Sequence, residues 1–190
     1  MCERELKILL KEKEYDVLAK LCEDIPSETL KNYYYDTDDF FMNRRGITCR
    51  IREKNGCFKT TVKNHYADSL NCSVEEDLCM GTELNSNVFE AFGLHLRGEL
   101  VTSRIIAHKD DLCEVVIDRN MYLGHTDYEI EAEYSDRNED IALKYLKIIA
   151  LYLYEKNVIS SVETFLARIG QSQSKSARFF EKLHIGNSST

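Results

Sequence analysis

Glu3, Glu5 and Lys7 are spaced by two at the start of the chain. On a β-strand that spacing places all three side chains on one face, with Leu6, Ile8 and Leu10 on the other. Alone, such a row is the solvated side of an ordinary surface strand. Similar rows recur along the sequence. Thr48, Arg50, Arg52 and Lys54 alternate with Ile47, Cys49 and Ile51. Asn55-Gly56, a strong hairpin signal, leads into a return segment in which Lys59, Thr61 and Lys63 share a face. Ser73, Glu75 and Asp77 form another row, Thr102 and Arg104 a shorter one, and Asp127, Glu129, Glu131 and Glu133 the longest acidic one.

These rows are sorted by sign. The first and last are acidic, and those at 47–54, 57–64 and 99–108 are basic. Solvated faces mix signs. Cations opposite one another in a hairpin repel, by roughly 0.2–1 kcal/mol per pair, unless an anion lies between them. Burying a row of carboxylates raises their pKa values unless cations neutralise them. Hard oxygen donors suit Mg²⁺ or Mn²⁺ rather than zinc. A metal-bound polyphosphate satisfies both halves.

The elements that must position these rows follow from the same alternation. Strands are expected in the opening segment and at 29–37, 47–54, 57–64, 70–78, 99–108, 112–118 and 126–134, mostly in hairpins and so mostly antiparallel. Helices are expected at 11–23, about 83–93, 138–156, about 161–169 and about 174–183. The fold class is α+β: an eight-stranded, mostly antiparallel closed β-barrel with flanking helices. Such a barrel has an interior just wide enough for side chains or one small ligand. With the charged rows inside, helices 11–23 and 139–156 cover the apolar outer face. The expected buried stripe of the longer helix is Ile141, Tyr145, Ile148, Ile149 and Tyr152. A single domain is expected over 1–183, with 184–190 a flexible tail.

Composition narrows the function classes. A chain of 190 residues suits one domain with a substantial core. Its net charge of −8 argues against non-specific nucleic-acid binding, although an acidic protein can still bind an anion where its cations are concentrated. No apolar run reaches the ~18 residues of a membrane helix, and no leader-like segment precedes the first strand. The seven cysteines include no Cys-x-x-Cys pair, so they are expected to be reduced thiols in a cytoplasmic protein. The five histidines show no metal spacing. Glu133 continues the acidic row at its mouth, Arg44 and Lys54 read as solvated turn residues, and Tyr33 to Tyr35 read as packing residues.

Glu3-Arg4-Glu5-Leu6-Lys7 resembles the Glu-x-Glu-x-Lys signature of the CYTH superfamily, the triphosphate tunnel metalloenzymes. Tyr34-Tyr35-Asp36-Thr37 is similar to that family's Tyr-Tyr-Asp-Thr segment. Arg45-Gly46-Ile47-Thr48-Cys49-Arg50-Ile51-Arg52 resembles its Arg-Gly-x-x-Leu-Arg-x-Arg strand, with Cys49 in place of Leu. Thr61-Val62-Lys63, Glu75 and Arg104 fit the strands that follow, and Ser73 stands where that family usually has Arg. Asp118, Gly124 and Glu129-Ile130-Glu131 fit its Asp…Gly…Glu-x-Glu run, and Lys175-Ser176-Ala177-Arg178 is similar to its C-terminal Lys-Ser-x-x-Arg helix.

The resemblance implies a site. Glu3, Glu5, Glu129 and Glu131 would hold divalent metal, with Glu75 and Asp118 joining them. Lys7, Arg50, Arg52, Lys59, Lys63, Arg104, Lys175 and Arg178 would bind the triphosphate oxygens. Glu3, Glu5 and Lys63 would be the catalytic residues, with Mg²⁺ or Mn²⁺ as cofactor. The implied activity is metal-dependent hydrolysis of inorganic triphosphate or a small organic triphosphate. The alternatives are a class IV adenylyl cyclase and a non-catalytic triphosphate- or nucleotide-binding module. The implied partner is a small-molecule triphosphate, with no nucleic acid and no membrane, and a chain acting as monomer or homodimer.

Overall fold

The computed structural model describes residues 2–65, 72–135 and 137–187; the side chains of residues 2, 3, 72, 73 and 185–187 lie outside that description. Eight strands are present among the described residues: β1 (Cys2–Leu10), β2 (Glu28–Asp36), β3 (Ile47–Lys54), β4 (Cys57–His65), β5 (Cys72–Gly81), β6 (His95–Lys109), β7 (Cys113–Tyr122) and β8 (His125–Tyr134). Six helices accompany them: α1 (Glu12–Leu21), α2 (Phe41–Arg44), α3 (Asn87–Glu90), α4 (Glu139–Glu155), α5 (Val162–Leu166) and α6 (Lys175–Asn187). No helix among these residues is long and apolar enough to cross a membrane.

The strands form a closed barrel in the order β1-β5-β4-β3-β2-β6-β7-β8, and every pairing is antiparallel. Three hairpin pairs, β3–β4, β6–β7 and β7–β8, lie side by side as their short connections require. The ring closes where β1 is inserted between β5 and β8. The β1–β8 ladder runs from Arg4↔Tyr134 to Leu10↔Tyr128, whereas the β1–β5 ladder spans only Cys2↔Val74 to Arg4↔Cys72. Register carries the chemistry: Lys7 pairs with Glu131, Lys63 with Glu75, and Arg104 with Asp118. Opposite charges thus meet across strands that each carry mainly one sign.

The main hydrophobic core lies outside the barrel. Leu6, Ile8, Ile117, Ile130 and Ala132, the alternate positions to the charged rows, pack against Leu18 of α1 and Leu146 and Leu153 of α4. The stripe of α4 is rotated from the expected one. Ala142, Leu146, Ala150 and Leu153 are fully covered, while Ile148 is 51% exposed. Two alanines on the sheet side let the helix sit close to the strands, so the larger β-branched and aromatic residues flank the contact. The helix expected at 83–93 contracts to α3, and β6 begins at His95 rather than 99.

A second core closes one end of the barrel. Phe179 and Phe180 of α6 pack with Tyr34, Leu100 and Tyr122. Burying each phenyl ring contributes about 1.5–3 kcal/mol. The approach depends on Gly98, whose φ is +146°: a Cβ built there would lie 2.9 Å from Phe179 Cζ. The helix runs to Asn187, past the expected end at 183.

Candidate active site: a charged tunnel through the barrel

The inward rows enclose a cavity of about 150 Å³. That is below the ~300–1,000 Å³ of drug-sized ligand pockets and suits a compact ligand. Lys7, Arg50, Arg52, Lys63, Arg104 and Lys175 line it together with Glu5, Glu75, Glu131 and Glu133, six cations against four carboxylates. Asp118 and Glu129 stand directly behind Arg104 and Lys175, so a chain of net charge −8 gathers six cations and six carboxylates around one small space. A larger hollow of about 550 Å³ at the β4–β5 end is lined by Phe58, Thr60, Met80 and Leu84 and, among the described residues, by no cation, so it suits an anion less well than the tunnel does.

On the acidic side, β6, β7 and β8 build a dense network. Arg104 donates through Nε to Asp118 Oδ1 at 2.9 Å and through Nη2 to Asp118 Oδ2 at 2.7 Å. The same Nη2 reaches Glu131 Oε2 at 3.0 Å. Lys175, the first residue of α6, enters from the barrel's end. Its ammonium lies 3.0 Å from Asp118 and 2.9 Å from Glu131, and contacts Glu129. Arg178 donates to both Asp127 oxygens, at 2.8 and 3.1 Å, and to Glu129 at 2.9 Å. Asn120 and Tyr122 complete the shell, donating to Asp127 at 3.0 and 2.7 Å. Burial pushes the Glu131 carboxyl up, but Lys175, Lys7 and Arg104 outweigh it and hold the group far below the usual carboxylate range. Burial likewise disfavours the Lys175 ammonium, yet Glu129, Glu131 and Asp118 raise its pKa.

Across the tunnel, β3, β4 and β5 present the basic wall. Arg50 donates to Thr61 Oγ1 at 3.1 Å and to Glu75 Oε2 at 2.7 Å. Arg52 donates to Asn32 Oδ1 at 3.0 Å, and no carboxylate of the described residues forms an ion pair with it. Burial, then the neighbouring guanidiniums of Arg50 and Arg104, lowers its pKa to about 10. Lys59 stands at the mouth, 2.8 Å from Asp77 and 4.0 Å from Glu75. Lys63 lines the cavity directly.

Among the described residues, two carboxylate groupings have the spacing of a cation site. Oxygens of Glu5, Glu131 and Glu133 lie within 4.8 Å of one another, as do those of Asp118, Glu129 and Glu131. Glu5 also accepts from Lys7 Nζ at 2.9 Å. The structure thus brings Glu5, Glu129, Glu131 and Asp118 to one side, and places Glu75 across the tunnel beside Arg50. Glu3 stands in β1 opposite Ser73, with its side chain outside the described residues.

Sequence reasoning undervalued three residues. Glu133 is two beyond Glu131 and joins the outer carboxylate grouping. His65 is two beyond Lys63 and lines the cavity; burial, then Lys63 and Lys7, lowers its pKa to about 4, so it stands neutral at pH 7. The period-two spacing that flagged the rows could have found both. Asp127, the first acid of its row, anchors Arg178, which no spacing within one strand could reveal.

A model of the CYTH domain family matches residues 1–160. The chain belongs to the CYTH domain family. Among curated relatives it is 31% identical over 124 residues to "Putative triphosphatase YjbK" of Bacillus subtilis strain 168; the match covers 57% of this chain and just under two thirds, 64%, of that relative. Two solved structures share the fold over nearly their whole length. One is a Bacillus halodurans protein described as a "putative adenylate cyclase", with a TM-score of 0.66 and 23% identity, covering 94% of this chain and 97% of that one. The other, HpAC1 from Hippeastrum, is described as a "putative adenylyl cyclase" with a dominant triphosphatase activity; its TM-score is 0.63 at 16% identity, covering 95% of each chain. The CYTH match ends before α6, so the helix that brings Lys175 and Arg178 into the tunnel lies beyond it.

Proposed function

We propose that this CYTH protein is a divalent-metal-dependent triphosphatase whose substrate is inorganic triphosphate or another compact triphosphate. The carrying observation is the small cavity lined by six cations, of which Arg52 forms no ion pair with a carboxylate of the described residues. The name of the curated relative supports the same reaction class. Nucleobases are commonly held by stacking on aromatic faces, and among the described residues the cavity is lined by two rings only, Tyr34, packed against Phe179 and Phe180, and the small, partly buried imidazole of His65. This favours a substrate without a base.

Arg50, Arg52 and Lys63 are the groups that hold the phosphate oxygens, the guanidiniums as bidentate forks and the lysine as a point charge. Lys7, paired across the ladder with Glu131, stands where the basic wall meets the acidic one. Lys59 adds attraction at the mouth. The outer carboxylates Glu5, Glu131 and Glu133 are oxygen donors, which fit Mg²⁺ or Mn²⁺. Bound there, the ion would supply Lewis-acid polarisation of a phosphoryl oxygen and lower the pKa of a coordinated water. The chain's own contribution is positioning and neutralisation of the charge that develops on the transferring phosphoryl group. Glu3, two residues before Glu5 in β1, is proposed as a further ligand. We place the protein in the cytoplasm, a setting that suits the free thiols of Cys22, Cys49, Cys57, Cys79 and Cys113.

The test is orthophosphate release from tripolyphosphate, thiamine triphosphate and ATP with Mg²⁺ or Mn²⁺, with cyclic AMP measured in parallel. Metal-dependent orthophosphate from tripolyphosphate is expected. Cyclic AMP without orthophosphate, or tight tripolyphosphate binding with no turnover, would overturn the assignment.

A further inference from the structure

α4 is apolar on two faces. Ala142, Leu146, Ala150 and Leu153 are covered by the outer faces of β1, β7 and β8. One such stripe is what a surface helix of a globular protein needs. On the opposite side of the helix a second stripe runs through Lys144, Ile148, Leu151 and Glu155, and all four are exposed. Ile148 and Leu151 are each 51% exposed, as is Tyr154 at the edge of the same face. Steps of four, three and four residues are the seam spacing of two helices packed side by side. Lys144 and Glu155, at the two ends of the stripe, form no ion pair among the described residues.

The stripe is its own complement. Two copies of α4 laid antiparallel about a two-fold axis bring one patch against itself, so that each contact is made twice. With the axis between Ile149 and Ala150, each Ile148 meets a Leu151 and each Lys144 meets a Glu155. We propose that this protein self-associates into a weak antiparallel dimer through the outer face of α4, with Ile148 and Leu151 at the centre and Lys144–Glu155 pairs at both ends.

The order of the charges favours a second copy over other occupants. Parallel packing would set lysine beside lysine and glutamate beside glutamate, and like charges across an interface repel. An anionic lipid surface would meet Glu155 and a chain of net charge −8. Only the antiparallel self-pairing places opposite charges at equal distances from an apolar centre. Area sets the strength. A seam of about three helical turns buries less than the roughly 1,200–2,000 Å² of a stable interface, so association depends on concentration. The tunnel takes no part, because its lining side chains lie on the other face of β1 and β8 from α4. The inference therefore stands apart from the reaction.

Sedimentation equilibrium of the full chain, from low micromolar to several hundred micromolar, tests it. Wild type is expected to move from monomer towards dimer as concentration rises. Leu151→Glu should stay monomeric across the range and keep the wild-type Tm in dilute solution, because that position faces solvent in the single chain. Lys144→Glu and Glu155→Lys should each weaken the dimer, by roughly threefold to thirtyfold, since each sets like charges together at both ends. The double reversal, Lys144→Glu with Glu155→Lys, should restore it. A wild type that stays monomeric throughout would overturn the proposal and leave the face to a partner of another kind. A dimer that survives Leu151→Glu would overturn it by placing the interface elsewhere. Failure of the double reversal to regain what each single reversal loses would overturn the antiparallel pairing. Should Leu151→Glu fail to fold, Leu151→Ser and the charge reversals decide on the same terms.

Discussion

The two walls of the tunnel satisfy their charges differently. On the β6–β7–β8 side, Asp118, Glu129, Glu131 and Asp127 each meet at least one guanidinium or ammonium inside the protein. On the β3–β4 side, Arg52 donates to the Asn32 amide oxygen and forms no ion pair among the described residues, and its pKa is lowered to about 10 by burial and by its cationic neighbours, with Glu75 opposing them. One wall is complete within the chain, and the other awaits an anion. Stability should therefore reside mainly in the acidic wall and ligand affinity mainly in the basic one.

Four measurements would break or sharpen that contrast, from the largest effect to the smallest. Arg104→Met removes the bidentate partner of Asp118 and a partner of Glu131, and breaking a buried ion pair from one side costs about 3–5 kcal/mol. Urea unfolding should record that loss; an unchanged midpoint would place the stabilising contacts elsewhere. Arg52→Met should instead leave stability nearly intact while lowering tripolyphosphate kcat/KM by roughly 10²–10³-fold, the range seen when one preorganised charge-stabilising donor is removed. If the two variants exchanged phenotypes, the division between walls would fail.

Gly98→Ala tests the end of the barrel that presents Lys175. The new methyl would meet Phe179 at 2.9 Å from a backbone at φ +146°, for a loss of about 1–3 kcal/mol. A lower Tm with a weakened α6 contact is expected, and a wild-type Tm would mean that α6 does not dock as described.

The smallest effect is in pH dependence. Burial raises and neighbouring cations lower the carboxyl pKa of Glu131, Asp127 and Glu75, and in each the cations prevail. Groups with depressed folded pKa values contribute stability that is present above their unfolded values of about 4 and is lost as pH falls through the folded ones. His65, whose folded pKa is about 4, takes up its proton in the unfolded chain first, so unfolding free energy should begin to fall near pH 6.5 and fall further below pH 4 as the carboxylates are protonated. Arg104→Met should flatten the fall below pH 4 and Arg52→Met should alter it less, since Arg104 is one of the cations that hold the Glu131 carboxyl down, while Glu75 keeps Arg50.

Much of this arrangement was legible in the sequence. Period-two rows identified the inward faces of β1, β3, β4 and β8, because a strand fixes side-chain direction from spacing alone. The sign of each row pointed to a polyanion. What spacing could not supply was the pairing between strands distant in sequence. That Lys7 faces Glu131 depends on β1 being inserted between β5 and β8. That Lys175 sits among Asp118, Glu129 and Glu131 depends on a helix entering from beyond the barrel, anchored by Phe179 and Phe180. The covered stripe of α4 was misjudged for a related reason: apolarity favours Ile148, whereas close packing selected Ala142 and Ala150. Glu133 was legible as the mouth of the acidic row, whereas His65, two beyond Lys63, was within reach of the period-two rule but was set aside with the other histidines for want of metal spacing.

The most direct test is the rate of orthophosphate release from tripolyphosphate as Mg²⁺ is titrated against the wild-type chain. The account predicts no release in chelator and a saturable rise with the ion. Undiminished release in chelator, or none at any Mg²⁺ or Mn²⁺ concentration, would contradict it.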